Sequence, residues 1–155
     1  MLAGAAKVPF GAAGWFYELK YDGFRCLIRK TRKSIRLDSR KGNDMAGRFP
    51  ELVAELEPLP HDVVADGELV VLDEQGRPVS ERLKKRHAQR SLASIAAAAF
   101  AGPAALFIFD LLSPNGTDLR GRTLLQRKSA LRGIVPGNWR VRSAGHFTQS
   151  ADLWT

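Results

Sequence analysis

Residues 15–28 read WFYELKYDGFRCLI. Trp15 to Lys20 combines aromatic and alternating residues, which predicts a strand. Asp22-Gly23 is a turn dipeptide. Phe24 to Ile28 resumes strand character, so the stretch predicts a hairpin turning at Asp22-Gly23. On a strand Glu18 and Lys20 face one way, Leu19 and Tyr21 the other. A lysine beside an acid, a glycine turn and an arginine, Arg25, is a setting for a nucleophile. An amine attacks phosphorus only when neutral, and nearby cations such as Arg25 and Arg40 disfavour the ammonium form. A surface hairpin carrying a Glu/Lys pair fits the same residues.

Downstream, Ser34 to Asp38 is a short alternating strand followed by a polar loop, Ser39 to Asp44. Arg40, in a Gly/Asn loop, can offer its donor fork to a phosphate or ribose oxygen; a solvated turn fits equally. Phe49, Leu52, Val53 and Leu56 recur at helical spacing, with Pro50 in the first turn and Pro58 as the stop. Val63 to Leu72 is strand-like around Asp66-Gly67-Glu68. Acids inside a strand are costly unless paired or facing a cleft. A carboxylate there could accept from ribose hydroxyls or help hold a metal; an edge strand with a bulge at Gly67 is the alternative. Residues 81–101 are basic, then alanine-rich, and predict one or two helices. Ala105 to Leu112 predicts a buried strand, with Phe107 and Phe109 on one face and Ile108 and Asp110 on the other. An aromatic there could stack on a purine, although apolar packing is the default. Thr123 caps a predicted helix over 124–134, and Trp139 to Arg142 is a short strand candidate. Residues 1–14 form an irregular lead-in, and Ser150 to Thr155 resembles the first turn of a helix. Strands and helices mix without regular βαβ alternation, which places the chain in the α+β class.

A length of 155 residues fits one domain, and 45% hydrophobic with 26% charged residues is an ordinary globular composition. The formal net charge of +8, from 24 Lys and Arg against 16 Asp and Glu, suits nucleic acid or nucleotide phosphate as partner, or simply a basic soluble protein. Cys26 is the single cysteine, so no internal disulfide forms and a reducing cytosol is expected. No apolar run approaches the roughly 18 residues of a membrane span, and the N-terminus lacks the basic and apolar regions of a signal peptide. His61, His87 and His146 have no ligand spacing, so no zinc site is expected. Neither glycine-rich phosphate motif, GxxxxGK[ST] or GxGxxG, occurs. Lys84-Lys85-Arg86 reads as a solvated helix face that could also contact DNA phosphates.

In order, these elements resemble a known family. Lys20-Tyr-Asp-Gly-Phe-Arg25 resembles motif I, KxDGxR, of the covalent nucleotidyltransferases, the superfamily of DNA ligases, RNA ligases and mRNA capping enzymes. Ser39 to Asn43 resembles ligase motif Ia, Asp66-Gly-Glu68 motif III, and Phe107 to Leu112 motif IIIa. Phe49-Pro-Glu-Leu52 and Leu119 to Lys128 are similar to further ligase segments. The likeness covers nearly the whole chain and is nearest to bacterial ATP-dependent DNA ligases of end-joining repair. It implies an α+β, ATP-grasp-like nucleotidyltransferase domain with mostly antiparallel sheets flanked by helices. Residues 1–155 would be a single partial adenylation domain, incomplete at its C-terminus. The resemblance implies that Lys20 forms lysyl-AMP from ATP and that Glu18 contacts the adenine edge. Arg25 and Arg40 would bind ribose and phosphate, Glu68 the ribose hydroxyls, and Phe109 would stack on adenine. ATP and Mg²⁺ are the implied cofactors. Nicked or broken double-stranded DNA is the implied partner, in a bacterial cytoplasm at the nucleoid. Motif IV (Glu-Gly-[ILV]), the paired lysines of motif V and an OB-fold are expected beyond Thr155, so weak or no activity is expected of these residues alone. A non-catalytic ATP- or DNA-binding remnant is one alternative. An RNA ligase or capping relative is another, against which the Ser39 to Asn43 loop and the FDLL strand argue.

Overall fold

The computed structural model describes residues 14–59, 62–135, 137 and 140–148. The chain divides into a main unit, Tyr21–Ser143, and a small unit made of Met1–Lys20 with Ala144–Thr155. The main unit is α+β: strands β1 (Phe24–Lys30), β2 (Ile35–Ser39), β3 (Val63–Val71), β4 (Ala104–Pro114) and β5 (Val141–Ser143), with helices α1 (Pro50–Leu56), α2 (Ser80–His87), α3 (Leu92–Ala101) and α4 (Leu124–Ile134). The strands form one sheet in the order β2-β1-β3-β4-β5. All pairings are antiparallel except β4 with β5.

One face of the sheet carries the core. Leu37 pairs with Ile28, Ile28 with Ala65, and Leu69 with Leu106, so apolar side chains line up across four strands. Against them pack Phe49, with Leu52 and Leu56 of α1, Leu83 of α2 and Leu131 of α4, all essentially inaccessible. The helices begin where the sequence places their signals. Pro50 occupies the first turn of α1. Thr123 and Gln126 form a reciprocal capping box at the start of α4. The basic and alanine-rich run forms two helices, separated at residues 88–91. Ser91 caps the second by accepting the Ser94 N–H. Among the described residues, no helix is long and apolar enough to cross a membrane.

Four expectations require correction. Trp15 to Lys20 does not continue as a strand. Among the described residues its ladder pairing is a bridge between Tyr17 and Phe147 of the small unit, with N–H···O distances of 2.9 and 2.8 Å. Glu18 and Lys20 are therefore exposed side chains on irregular backbone rather than neighbours on one strand face. The hairpin is not at Asp22-Gly23. It joins β1 to β2 through Thr31 to Ser34, where the Thr31 hydroxyl oxygen accepts the N–H groups of Lys33 and Ser34. The Asp22-Gly23 hairpin does not form because β1 takes β2 and β3 as its neighbours, while Tyr17 of the expected first arm bridges Phe147. The strand bearing Asp66 and Glu68 is central, not an edge. The face alternation of β4 also breaks. The register slips between Asp66 and Gly67, whose partners are Asp110 and Ile108, leaving Phe109 as the extra residue of a bulge. Asp110 thus stands opposite Asp66 rather than sharing the Ile108 face. Trp139, the last residues from Gln149 and the lead-in to residue 13 lie outside the described residues.

Candidate functional site

The face opposite the core is polar, and its residues are aligned by register. Arg25 on β1 pairs with Glu68 on β3, Glu68 with Phe107 on β4, and Phe107 with Arg142 on β5. Directly opposite residues share a sheet face, so this row is continuous across four strands. A second row runs Asp38, Leu27, Asp66, Asp110. Three acids lie in that row, and like charges facing each other across a ladder are destabilising unless compensated. Each has an arginine. Arg29 and Arg36 reach Asp38 at 3.2 and 2.7 Å. Arg25 grips Asp66 with Nε donating at 3.1 Å to Oδ1, while Nη2 donates to Oδ2. Arg127 from α4 grips Asp110 through Nε and Nη2 at 2.7 and 3.0 Å. Hydrogen bonding to these carboxylates raises the affinity of Arg25 and Arg127 for their protons still further.

Two glycines bring the backbone close to this face. A Cβ on Gly23 would stand 2.3 Å from the carbonyl oxygen of Leu69, and one on Gly67 would stand 2.8 Å from that of Phe107. Only glycine permits either approach. The first lets the Gly23 N–H donate to Glu68 Oε1 at 3.2 Å. The glycine of the KxDG motif thereby fixes the carboxylate of the DGE motif.

The two aromatics of β4 have different surroundings. Tyr21 stacks on the Phe107 ring with centroids 4.1 Å apart, and the Arg142 guanidinium stands 5.1 Å from the same ring. Phe107 is accordingly buried. Phe109, displaced by the bulge, is only half-buried, with the Arg25 guanidinium 5.9 Å from its centroid. Its carbonyl accepts a hydrogen bond from the buried Lys128 ammonium at 3.1 Å.

Of the six residues proposed from sequence, Arg25, Glu68 and Phe109 come together on the three central strands. Arg40 lies just past β2 in an exposed turn, and no strand pairing joins it to the Arg25 row. The turn is closed by Ser39, whose N–H donates to Asn43 O at 2.9 Å, with Gly42 in the left-handed region at φ +78°. Glu18 and Lys20 belong to the small unit; Lys20 directly precedes Tyr21 in sequence. Sequence reasoning missed the roles of Asp66, Asp110 and Arg127. An acid inside each apolar strand was the available signal, and its pairing partner was not readable. Among the described residues, no group of three or more His, Cys, Asp or Glu is arranged to hold a metal ion.

Comparison with known proteins gives consistent matches. The family described as ATP dependent DNA ligase domain matches residues 1–154. DNA ligase B of Mycobacterium tuberculosis is 36% identical over 126 residues, covering 81% of this chain and 25% of that protein. The bifunctional non-homologous end joining protein LigD of Bacillus subtilis is 34% identical over 133 residues, covering 82% of this chain and 22% of that protein. The chain thus spans about a quarter of the length of these curated relatives. Among solved structures, the ligase domain of M. tuberculosis LigD superposes with a TM-score of 0.61 at 26% identity, covering 85% of this chain and 40% of that one. Mycobacterial DNA ligase D complexed with ATP and MES superposes with a TM-score of 0.63 at 26% identity, covering 86% of this chain and 40% of that one.

Proposed function

The chain belongs to the ATP-dependent DNA ligase family, and from that premise we propose that it is part of an adenylation domain in which Lys20 becomes covalently adenylated. The neutral Lys20 amine attacks the α-phosphorus of ATP. A P–N bond forms, the bond to the β-phosphate oxygen breaks, pyrophosphate departs, and the amine proton is released to solvent. In the subsequent steps the AMP passes to a 5′-phosphate at a DNA nick, and the 3′-hydroxyl displaces it.

One observation carries the nucleotide reading: Arg25, Glu68 and Phe109 converge on the polar face of the central strands, and Gly23 holds Glu68 in place. Phe107 is covered by Tyr21 and Arg142, so Phe109 is the β4 aromatic suited to stack on adenine. Glu68 is suited to accept from ribose hydroxyls, and Arg25 and Arg40 to meet ribose and phosphate oxygens. Glu18 is assigned to the adenine edge. Asp66 and Asp110 are both engaged by arginines, which leaves no protein cage for a divalent cation among the described residues. Mg²⁺, if bound, would be carried by the triphosphate and would supply charge neutralisation there. Repair of nicked or broken duplex DNA in a bacterial cytoplasm is the setting inferred from the LigD-like relatives.

Incubation with α-labelled ATP and Mg²⁺, followed by peptide mass mapping, tests this reading. The expected result is weak labelling confined to the Lys20 peptide, and none in Lys20→Ala. The weakness is expected because no Glu-Gly-[ILV] motif occurs in these residues, and preorganised groups around the transferring phosphoryl are a large catalytic contribution. Equal labelling of Lys20→Ala would overturn the assignment. Stronger labelling from GTP than from ATP would point to a capping-type enzyme instead.

A further inference from the structure

We propose that the β1–β2 hairpin, at the opposite end of β1 from Arg25, forms a second phosphate-binding site. A cavity of about 390 Å³ opens there, lined by Lys30, Thr31, Arg32, Lys33 and Ser34 of the hairpin and by Val53, Glu57 and Leu59 at the end of α1. The exposed Arg32 and Lys33 are among its lining residues, with Glu57 the acid among them. From Arg25 to Lys30 is five residues along an extended strand, about 17 Å, so this cavity is separate from the candidate nucleotide face.

The hairpin tip is preorganised. Thr31 N–H donates to Ser34 O at 2.8 Å, and the Thr31 hydroxyl oxygen accepts from Lys33 and Ser34 N–H at 3.2 and 3.1 Å. The backbone carrying Arg32 and Lys33 is therefore fixed by groups that are themselves satisfied, and both side chains remain exposed. Lys30 differs from them: it lines the cavity but is only 6% exposed. Cations of one sign gathered around a concavity with low-dielectric walls focus their field into it. Val53, Ile35 and Leu59 supply apolar lining. That combination suits a phosphate group carried on a less polar body such as a sugar. Two sources supply such a group: the backbone of duplex DNA, or a free phosphate compound. The site does not depend on any step at Lys20.

Two titrations separate the sources, using wild type and the exposed double variant Arg32→Ala/Lys33→Ala, which leaves Thr31 intact. First, backbone amide NMR spectra are recorded against inorganic pyrophosphate. We expect saturable shifts at residues 30–35, weakened roughly tenfold in the double variant, as befits loss of charge-assisted hydrogen bonds, and retained in Arg25→Ala. Second, binding of a nicked duplex is measured across a salt series. If the duplex backbone is the ligand, the log–log slope becomes shallower by about one for each phosphate that the double variant no longer neutralises. Pyrophosphate shifts with an unchanged DNA slope assign the site to a free anion. No shift at residues 30–35 together with an unchanged slope would overturn it. Failure of Lys20 adenylation would leave both titrations interpretable.

Discussion

Gly23 and Gly67 act through the atoms they lack. A Cβ on Gly67 would press on the Phe107 carbonyl at 2.8 Å, which is backbone and cannot rotate away. Gly67→Ala is expected to cost about 1–3 kcal/mol, as overpacking generally does, visible as a lower urea midpoint. Gly23→Ala meets the Leu69 carbonyl even closer and in addition displaces the N–H that holds Glu68. It should weaken ATP binding more than Gly67→Ala does at equal loss of stability, a comparison made by calorimetric titration. Cys26 provides a second test. Burial, chiefly, with the nearby carboxylates Asp38 and Asp66, pushes its thiol up to about 12. A thiol-disulfide reagent at pH 8 should leave it unmodified in the native chain and label it promptly in urea. At this scale the sequence was partly legible. Residue type and order single out Lys20, Arg25, Glu68 and Phe109 as candidates, and of these Arg25, Glu68 and Phe109 lie together on the central strands. The Arg25–Asp66 and Arg127–Asp110 pairs could not be read in this way, because they join residues 41 and 17 positions apart through a sheet register that no local pattern encodes.

The helices α1 and α2 are tied to β4 by one buried pair. Glu51 Oε1 accepts from Arg86 Nη2 at 2.7 Å and from the Ala104 N–H at 3.0 Å, and the Arg86 guanidinium stands 5.1 Å from the Phe49 ring. The side chains of Arg86 and Glu51 are 4% and 7% exposed. Glu51→Ala strands the arginine in the interior and should cost about 3–5 kcal/mol by urea melt, whereas Glu51→Leu with Arg86→Met should recover most of it. Beside this pair, His87 caps the same junction. Its ring edge meets Phe24, and Arg48 reaches its carbonyl at 2.9 Å. Burial, then the Arg48 and Arg90 cations, hold its pKa below the ordinary 6.5. The folded ring stays neutral while the unfolded ring takes up a proton near pH 6.5. Its contribution is therefore intact above about pH 6.5, declines as pH falls below it, and is fully lost below the folded pKa. The difference in Tm between wild type and His87→Phe should shift in favour of the variant on going from pH 8 to pH 5. Elements with dense local signals were legible: the capped α4, the apolar β4 and the Pro50 helix. The Trp15 to Lys20 stretch was not, since the partner of its Tyr17 bridge, Phe147, is 130 positions away in sequence.

Across the whole molecule, charge is distributed unevenly. Asp38, Asp66 and Asp110 on the polar sheet face are each matched by an arginine, so their charges are locally compensated. The surplus of +8 includes the exposed Arg32 and Lys33 of the hairpin tip and the exposed Lys85 of α2. Uncompensated like charges repel more strongly when compact than when the chain is spread out, and net charge of this kind destabilises the folded state. Surface repulsion is screened within a Debye length, about 10 Å at 0.1 M salt. The Glu51–Arg86 pair is buried, and Arg127 and Asp110 are mostly so, at 17% and 19% exposure; salt weakens such pairs much less. Added salt should therefore relieve more repulsion than it removes attraction. The Tm is expected to rise between about 0.02 and 0.2 M sodium chloride. Pyrophosphate at the same ionic strength should raise it further, because a ligand that binds only the folded state stabilises it by RT ln(1 + [L]/Kd). A Tm that falls over the chloride range would mean that exposed ion pairs such as Arg82–Glu74 outweigh the repulsion. Exposed pairs of that type are individually worth about 0–1 kcal/mol, too little in general to offset a surplus of eight positive charges.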